Sequence, residues 1–356
     1  MVSKAKRGPK NAAFGNGGWG VRVTAASRLS FTLIDLSAHG GRKNGMASLA
    51  LRDPSFRATV TPAFRTTVTG DDEIGAQYAP DIRRLLAGSA RKWRTLPAEV
   101  RIETGLIPHV GLGSKTTTLL AVGQAYSLLN KAGISTELLA KIARRGRTSG
   151  ASVNLIDRGG FLVDGGHKAP IDLAANPRAH LRPSRFAPLA AKPPVLINQE
   201  FPPWPIALIL PVGNKIHGEL EASWFREITP IPINEARKTA HLILLHLAPA
   251  IAECDYEAFC RAVNTLTAES YYKRKQIARQ SPSVRHLLRE GLKRSEVDAI
   301  GMSSMGPCCY AFTRRPDALV SWLNELHEAG VLTRYWFSSA QNHPAVLEGV
   351  PSTLDS

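Results

Sequence analysis

The sequence predicts an α+β protein of two domains. Its 356 residues are 44% hydrophobic and 21% charged, which is the composition of a globular protein long enough for two cores. Extended and helical segments follow one another without an internal repeat, as in the α+β class. A stretch rich in Pro, Ala and Arg at residues 172–194 divides the chain. We therefore expect an N-terminal domain over residues 21–194 and a C-terminal domain over residues 195–356.

The N-terminal half begins with β structure. We expect residues 1–20, which are basic and rich in glycine, to form a disordered leader. Alternation or a high Thr and Val content then predicts extended segments at residues 21–25, 29–36, 58–69 and 100–103. Residues 81–93 instead carry an apolar face at helical spacing, which predicts a helix before the last of these strands.

A glycine-rich loop at residues 107–118 joins that strand to a helical run at residues 119–131, and it reads Ile-Pro-His-Val-Gly-Leu-Gly-Ser-Lys-Thr-Thr-Thr. Gly111 and Gly113 allow the backbone to approach an anion, and the helix start adds the positive end of its dipole. The order of strand, glycine loop and helix therefore predicts a phosphate site. A turn followed by a capped helix is the alternative, because the spacing matches neither the Walker nor the Rossmann pattern.

Two further glycine-rich segments follow at residues 146–152 and 156–167. In the second of them, paired glycines flank a short apolar strand, which is typical of hairpins and of close backbone approach. Arg158, Asp164 and His167 lie in this segment and carry ionisable side chains. Each of them is a candidate site residue, although each residue type also occurs in ordinary turns.

The second half continues as a mixture of strands and helices. Extended segments are expected at residues 205–212, 308–313 and 332–338, and helices at residues 233–247, 257–269, 284–291 and 317–329. We expect Pro249 to end or kink the first of these helices, because proline lacks the amide hydrogen that a helix requires. The segment after residue 338 carries no recognisable motif.

A net charge of +16 indicates a surface that attracts polyanions such as nucleic acid or phosphorylated metabolites. The basic residues show none of the spacings of known nucleic-acid motifs, so we expect no nucleic-acid partner. No apolar stretch reaches the length of a membrane span, which predicts a soluble, cytoplasmic protein without a membrane partner. The four cysteines lack zinc-site spacing and are expected to be free thiols.

The glycine loop resembles the phosphate loop of the GHMP family of small-molecule kinases, because residues 108–114 read Pro-His-Val-Gly-Leu-Gly-Ser. The chain as a whole resembles the β-ribofuranosylaminobenzene 5'-phosphate synthases. Shared landmarks lie in the expected order at residues 28–29, 34–36, 109–114, 146–150, 158–167, 201–204 and 302–307. This resemblance implies a GHMP-kinase-like fold with a ribosomal-protein-like N-terminal domain and a ferredoxin-like C-terminal domain. It also implies a homodimer.

Two departures from the family patterns bear on function. GHMP kinases carry a catalytic aspartate just after a Ser-Gly pair, whereas residues 149–152 read Ser-Gly-Ala-Ser, which argues against phosphoryl transfer. The synthases typically continue their loop with glycine where this chain has Lys115. A lysine favours an acceptor with a second carboxylate, such as the aminopyrazole dicarboxylate of a formycin-type C-nucleoside synthase, over 4-aminobenzoate. Lys115 is alternatively a further contact to pyrophosphate.

The resemblance implies a decarboxylating C-ribosyltransferase. Such an enzyme joins ribose 5-phosphate from phosphoribosyl pyrophosphate (PRPP) to an aromatic amino-carboxylate and releases pyrophosphate and carbon dioxide, with Mg²⁺ as cofactor. An ATP-dependent GHMP kinase and a basic RNA-binding protein are the competing functions. RNA binding would be sensitive to salt and would not require a specific glycine loop.

Site residues follow from the same resemblance. The residues expected to bind PRPP are His109, Gly111, Gly113, Ser114, Lys115, Thr116, Thr117 and Thr118. Those expected to be catalytic, in part by holding carboxylates or the 5-phosphate, are Arg28, Asp35, Arg158 and His167. Asp35 and Asp164 are the metal candidates. Trp204 is expected to stack on the acceptor ring, with Ser303 and Ser304 closing the cleft around it, although packing between the domains is an equal alternative for Trp204.

Overall fold

The computed structural model describes residues 19–70 and 73–351. The predicted leader at residues 1–20 lies outside the described residues except for Trp19 and Gly20, which begin the first strand. The strands are β1 (Trp19–Asp35), β2 (Arg42–Pro62), β3 (Thr67–Gly70), β4 (Ala98–Thr104), β5 (Phe161–Asp164), β6 (His167–Lys168), β7 (Val195–Gln199), β8 (Ile206–Pro211), β9 (Ala299–Met302), β10 (Cys309–Phe312), β11 (Leu332–Ser338) and β12 (Val346–Pro351).

The helices alternate with these strands along the chain. They are α1 (Glu73–Ala76), α2 (Ala79–Trp93), α3 (Ser114–Leu129), α4 (Thr136–Ile142), α5 (Ala151–Leu155), α6 (Pro177–His180), α7 (Glu219–Ile228), α8 (Ile233–Leu242), α9 (Ala248–Ala252), α10 (Tyr256–Glu269), α11 (Tyr271–Ala278), α12 (Pro282–Gly291) and α13 (Pro316–Glu328). The mixed α+β class predicted from the sequence is confirmed.

The larger sheet is built on the long antiparallel hairpin of β1 and β2, in which Val21 pairs with Val60 and Asp35 with Asn44. The two extended segments expected before residue 36 are one strand, which bulges between Ala26 and Ser27. The order β12-β1-β2-β4-β3 forms one part of the sheet, and the other part of β2 pairs with β5 and β6. Strand β7 pairs with β5, and β12 pairs with β1. Two strands from beyond residue 194 therefore complete the sheet of the N-terminal half.

The smaller sheet has four antiparallel strands in the order β11-β8-β10-β9. Along the chain the order is strand, helices, two strands, helix and strand, which is the ferredoxin-like arrangement. The helix expected at residues 233–247 is α8 followed by a π-helical turn at Ile243–Leu247. The break expected at Pro249 therefore takes the form of a π turn, which shifts the hydrogen-bond register just before the proline.

A shared hydrophobic core joins the two sheets. Phe31 of β1 contacts Phe161 at 5.9 Å, Tyr310 at 5.7 Å and Phe259 at 6.3 Å between ring centroids, all in edge-to-face geometry. Phe161 belongs to the first sheet, whereas Tyr310 and Phe259 belong to the second half. The two halves are therefore packed against each other at the base of the glycine loop.

All four cysteines are free thiols, and three of them, Cys260, Cys308 and Cys309, are buried. No helix in residues 19–70 and 73–351 is long and apolar enough to cross a membrane.

We expect the F259A substitution to cost about 3–5 kcal/mol of unfolding free energy, because the buried ring leaves a cavity between four other aromatic rings. Phe64, which is fully exposed, provides the matched control. Chemical denaturation of F259A and F64A measures both values. A loss of similar size in the two variants would contradict the shared core.

Candidate functional site

The glycine loop has the predicted setting, since it follows β4 and leads into α3. Gly111 has a φ of 96° and Gly113 a φ of 74°, and His109 also lies in the left-handed region with a φ of 58°. Three left-handed residues within five positions curl the chain tightly, and glycine adopts this conformation at the lowest cost. Gly113 is the N-cap of α3, so the loop ends at the positive end of a helix of sixteen residues.

Ser303 ties this loop to the C-terminal half. Its hydroxyl donates a hydrogen bond to Gly111 O (2.9 Å) and accepts one from the amide of Ser30 on β1 (3.0 Å). A Cβ atom at Gly111 would lie 2.2 Å from Ser303 O. Ser303 is fully buried, and its hydroxyl is occupied by these backbone partners, so the structure gives it a role in holding the loop instead of the expected contact with an acceptor. Ser304 lies half-buried in the same turn.

Arg28 lies directly beside the loop. Its Nη2 is 3.4 Å from Gly111 O and its Nη1 is 3.3 Å from the sulfur of Met46, whereas its Nε has no hydrogen-bond partner within the described part of the chain. The same Nε lies 3.3 Å from the Cβ position at Gly113, and the side chain is 8% exposed. Burial lowers the pKa of Arg28 to about 10, and nearby Arg145 lowers it further while Asp164 opposes the shift. The buried guanidinium of Arg28, with its Nε–H free of partners among the described residues, therefore lies at the positive end of α3.

The hydroxyls that were predicted to bind phosphate divide into two groups. Ser114 accepts a hydrogen bond from the hydroxyl of Tyr78 (3.0 Å), and Thr116 accepts one from Nε of Arg145 (2.9 Å). All four side chains are buried, and Thr117 and Thr118, at 2% and 0% exposure, lie deeper than Ser114 and Thr116 at 7%. Ser114 and Thr116 are therefore the less buried hydroxyls at the start of the helix.

Lys115 has a carboxylate partner in the protein itself. Its Nζ lies 2.5 Å from Oδ2 of Asp81 on α2, and its side chain is 39% exposed. Asp81 also pairs with Arg84 at 3.1 Å. Lys115 is thus a cation beside the loop, but it does not need a carboxylate from a ligand to be paired.

The structure adds charged residues that the motifs did not reveal. Arg145 follows α4 and reaches the start of α3, and its pKa is lowered by burial and by Arg147, against the effect of Asp81. Glu221 of α7 is a buried carboxyl whose pKa burial raises to about 7, while Arg145 opposes the shift. In the sequence, the only indication that Arg145 belongs to the site was its place in a basic run. No motif indicated Glu221.

Lys273 of α11 is a second buried cation near Arg28. It is 2% exposed, and its Nζ donates a hydrogen bond to Met302 O (2.6 Å), just before the turn that holds the loop. Burial lowers the pKa of Lys273 to about 7, an effect that Cys309 opposes and Arg28 reinforces. In the described ranges neither Lys273 nor Arg28 has a carboxylate within ion-pair distance. Arg28 therefore carries positive charge without an ion-pair partner in these ranges, and Lys273 adds to this charge only in its protonated form.

The two aspartates predicted to bind a metal differ in position. Asp164 is fully buried near Arg28, its Oδ1 accepts a hydrogen bond from the Gly166 amide (2.9 Å), and its Oδ2 has no partner among the described residues. Burial raises its pKa to about 7. Asp35 instead closes its own turn, because its Oδ1 accepts hydrogen bonds from the amide and hydroxyl of Ser37 at 2.8 and 2.7 Å.

Magnesium bound through substrate phosphates is held by one or two protein carboxylates. Oδ2 of Asp164 has no hydrogen-bond partner among the described residues, whereas Oδ1 of Asp35 is engaged by Ser37. No group of three or more His, Cys, Asp or Glu side chains in residues 19–70 and 73–351 is arranged to hold a metal by itself.

Three predicted site residues lie away from the loop. Arg158 is exposed, and its neighbour Asp157 accepts a hydrogen bond from Gln124 (2.9 Å). Gln124 lies ten positions after Ser114 on α3, which is roughly 15 Å along the helix axis. A cavity of about 910 Å³ lies at that end of α3, lined in part by Gln124 and Asp157, and contains none of the loop residues. The structure therefore does not bring Arg158 to the glycine loop, although their motifs are close in sequence.

His167 and Trp204 are also engaged elsewhere. His167 Nδ1 lies 3.1 Å from Ala191 O, and burial lowers the pKa of this imidazole to about 4, so its neutral ring packs under the segment before β7. The Trp204 ring packs in an aromatic cluster with Phe259 at 4.9 Å and Tyr256 at 5.2 Å between centroids. Trp204 therefore has the packing position that was its alternative, against the core cluster that also contains Val110 and Leu112.

Comparisons with known proteins are consistent with this geometry. No family model matches the chain. The chain is 31% identical to the β-ribofuranosylphenol 5'-phosphate synthase of Archaeoglobus fulgidus over 294 residues, covering 82% of this chain and 88% of that protein. It is 30% identical to the protein of the same name from Methanocaldococcus jannaschii over 298 residues, with the same coverage.

Solved structures of GHMP kinases share the fold. The phosphomevalonate kinase of Streptococcus pneumoniae matches with a TM-score of 0.63 and 14% identity, over 90% of this chain and 99% of that chain. The homoserine kinase of Cytophaga hutchinsonii matches with a TM-score of 0.62 and 14% identity, over 95% of this chain and 100% of that chain. The GHMP-kinase-like fold expected from the sequence is confirmed.

We expect G111A to disrupt the loop far more than G133A does. Both positions have positive φ, so each alanine bears a similar strain of about 1 kcal/mol. A Cβ at Gly133 meets nothing within 4 Å, whereas a Cβ at Gly111 collides with Ser303 O. Thermal or chemical denaturation should show a further loss of about 1–3 kcal/mol in G111A. Equal losses in the two variants would mean that the loop does not abut the Ser303 turn.

The pKa of Lys273 predicts a pH-dependent stability. The pKa of Lys273 is about 7 in the folded protein and about 10 in the unfolded chain, so between these pH values only the unfolded chain keeps the proton. The contribution of Lys273 to the free energy of unfolding therefore increases as the pH rises from about 7 to about 10. The K273M variant should lack this rise, which has a limiting slope of about 1.4 kcal/mol per pH unit. The exposed Lys238 provides the control variant K238M, which should follow the wild type. Denaturation curves across this pH range that coincide for K273M and wild type would refute the assignment.

Proposed function

Because this chain belongs to the family of β-ribofuranosylphenol 5'-phosphate synthases, we propose that it joins ribose 5-phosphate from PRPP to a ring carbon of an aromatic carboxylate. Pyrophosphate and carbon dioxide are the other products. The observation that carries the proposal is the buried guanidinium of Arg28 at the positive end of α3, whose Nε has no hydrogen-bond partner among the described residues. A site of this kind binds a strongly charged anion, and PRPP carries a phosphate monoester and a diphosphate.

Departure of the diphosphate is the step that the loop residues assist. The bond between C1 of the ribose and the diphosphate oxygen breaks, and its electron pair leaves with pyrophosphate, so negative charge grows on the leaving group. Arg28, Lys115 and the amides at the start of α3 surround the position of this charge and stabilise it electrostatically. Ser114 and Thr116 hold hydroxyls at the same end, with Thr116 oriented by Arg145.

The positive C1 centre that remains is attacked by the ring carbon that bears the carboxylate. A C–C bond forms, and loss of carbon dioxide returns the electron pair of its bond to the ring and restores aromaticity. A hydroxyl or amino group on the ring makes this carbon nucleophilic, so the protein needs to position the two reactants more than it needs to move protons. The positive charge of Arg28, together with that of Lys273 when it is protonated, supports binding of an anionic acceptor near the loop.

Lys115 bears on the choice of acceptor. From the sequence, Lys115 favours an acceptor with a second carboxylate, such as an aminopyrazole dicarboxylate, because the two groups would pair. Since Asp81 already pairs with Lys115, an acceptor with a single carboxylate is now the better supported proposal. The relatives are named for a phenol product, which supports a hydroxybenzoate beside 4-aminobenzoate as the acceptor.

Magnesium is part of the proposed reaction. When bound, it would neutralise charge on the diphosphate and so favour its departure. Asp164 would hold it through Oδ2, and the nearby Arg28 favours the ionised form of this carboxyl against the effect of burial. Asp35 is not part of this proposal, because it caps its own turn.

The test is pyrophosphate release from PRPP and Mg²⁺ with 4-hydroxybenzoate, 4-aminobenzoate and an aminopyrazole dicarboxylate in separate reactions, with carbon dioxide monitored. We expect equal amounts of pyrophosphate and carbon dioxide with one of the single-carboxylate acceptors. Release with the dicarboxylate alone would instead establish the C-nucleoside reaction. Formation of ADP from ATP, or no reaction together with no binding of PRPP, would refute the proposal.

We expect R28M to lower kcat/KM for PRPP by about 100-fold, as loss of a donor at a developing anion does. R91M, which changes an exposed arginine on α2, is the matched control and should retain activity. R158M should also behave like the control, because Arg158 is exposed at the far end of α3. Steady-state kinetics on variants with unchanged melting temperature makes the comparison. Unchanged kinetics in R28M would remove this arginine from the mechanism.

A further inference from the structure

Residues 212–218 connect β8 to α7 and reach the glycine loop from the C-terminal half. The ring of His217 stacks on the ring of His109, with centroids 4.1 Å apart and planes inclined by 25°. His109 precedes α3 in the N-terminal half, so this contact bridges the two halves at the open side of the loop. Both rings are exposed to solvent.

The connecting segment is held at both ends and in the middle. Val212 O accepts a hydrogen bond from the hydroxyl of Ser281 (2.8 Å), and Gly218 is the N-cap of α7. Between them, Ile216 is half-buried against the core cluster that contains Trp224. Because Ile216 points inward, its neighbours on either side, Lys215 and His217, are exposed. The segment therefore presents two basic side chains beside the loop.

Positive charge surrounds His109 from three elements. His217 and Lys215 face it from this segment, Lys115 from α3, and Arg145 from the chain after α4. Burial lowers the pKa of His109, and each of these groups lowers it further. Two carboxyl groups lie in the same region and offset this charge in part. Asp81 is paired with Lys115, and Glu221 lies near Arg145 with a pKa of about 7.

Independent support for a ligand comes from the floor of the site. The Nε of Arg28, which is buried and without a partner in the described ranges, lies against Gly113 at the start of α3. Basic side chains therefore lie on two sides of this helix terminus, with Arg28 on the buried side and the 212–218 segment on the exposed side. Such an arrangement fits an anion with several charged oxygens better than a single carboxylate.

We propose that the 212–218 segment completes the diphosphate site from the C-terminal half, with Lys215 and His217 binding the anion together with His109. The identity of the anion rests on the proposed function. Burial and the neighbouring His217, Lys215, Lys115 and Arg145 lower the pKa of His109, so its positive form is disfavoured unless an anion is bound. A bound diphosphate supplies the negative charge that both rings can share. Binding therefore takes up protons and tightens as the pH falls.

Calorimetric binding of inorganic pyrophosphate to the full chain at about pH 6 and about pH 8 tests this proposal. We expect H217Q to weaken binding about tenfold at the lower pH and to reduce the part of the pH dependence that the protein contributes. K215M should weaken binding by a similar factor at both pH values, because a lysine stays charged throughout. The titration of pyrophosphate itself is common to all variants and cancels in the comparison.

Two further variants serve as controls. His246 contacts His241 at 5.2 Å between centroids on the α8 and π-turn segment, so H246Q removes a histidine from a similar pair outside the site and should bind like the wild type. E221Q removes the carboxyl that titrates in the same pH range, and the effect of H217Q should persist in the double variant. All of these variants should keep the melting temperature of the wild type, since His217 and Lys215 are exposed.

The outcomes separate this proposal from the proposed function. If H217Q binds pyrophosphate with the affinity and pH dependence of the wild type, the inference is wrong even where PRPP turnover succeeds. Absence of pyrophosphate binding by the wild type also overturns it. If turnover with every acceptor fails but H217Q and K215M still weaken pyrophosphate binding as expected, the anion site stands and the assigned reaction falls.

Discussion

The site depends on one hydroxyl group. Ser303 donates to the carbonyl of Gly111 and accepts from the amide of Ser30, so β1, the glycine loop and the turn after β9 meet at a single oxygen atom. The partners lie 192 and 273 positions away in sequence, and no water competes for these bonds because Ser303 is fully buried. In such a low-dielectric setting the bonds are strong and their loss would leave unsatisfied groups. A separate backbone hydrogen bond, from the amide of Arg28 to Leu112 O (2.9 Å), holds Arg28 beside the loop and so fixes its guanidinium at the start of α3.

A second constraint is electrostatic. Arg28 and Lys273 are both buried near the loop, and in the described ranges neither has a carboxylate within ion-pair distance. Burial of unpaired charge destabilises a folded protein, and such groups are typical of sites whose ligand supplies the missing charge. The carboxyl of Asp164 has a raised pKa in the same region, so it does not fully compensate the two cations. A bound anion would therefore offset the charge of Arg28 and favour the protonated form of Lys273.

The sequence allowed prediction of the features that arise from local chemistry. The strand, glycine loop and helix were recognisable because the left-handed residues and the helix start are contiguous. Arg28 was predicted from the family resemblance, and the structure places it beside the loop. Arg158 and Trp204 show the limit of this approach, because a motif does not reveal which end of a helix it will face. Lys273, Glu221 and His217 could not be identified from the sequence, since their relevance comes from burial and from contacts between distant segments. The role of Ser303 in holding the loop was hidden for the same reason.

Strand β12 has a consequence for how the chain acquires its structure. Residues from Trp19 to Thr24 of β1 pair with residues from Val346 to Pro351, and this pairing closes one side of the large sheet. During synthesis the first strand therefore waits for a partner that emerges more than 300 residues later, with a row of backbone amides and carbonyls exposed at the edge of the hairpin. Such non-local pairing slows folding and exposes an aggregation-prone edge in the meantime. The sheet of the N-terminal half is therefore completed only by the half that supplies Ser303.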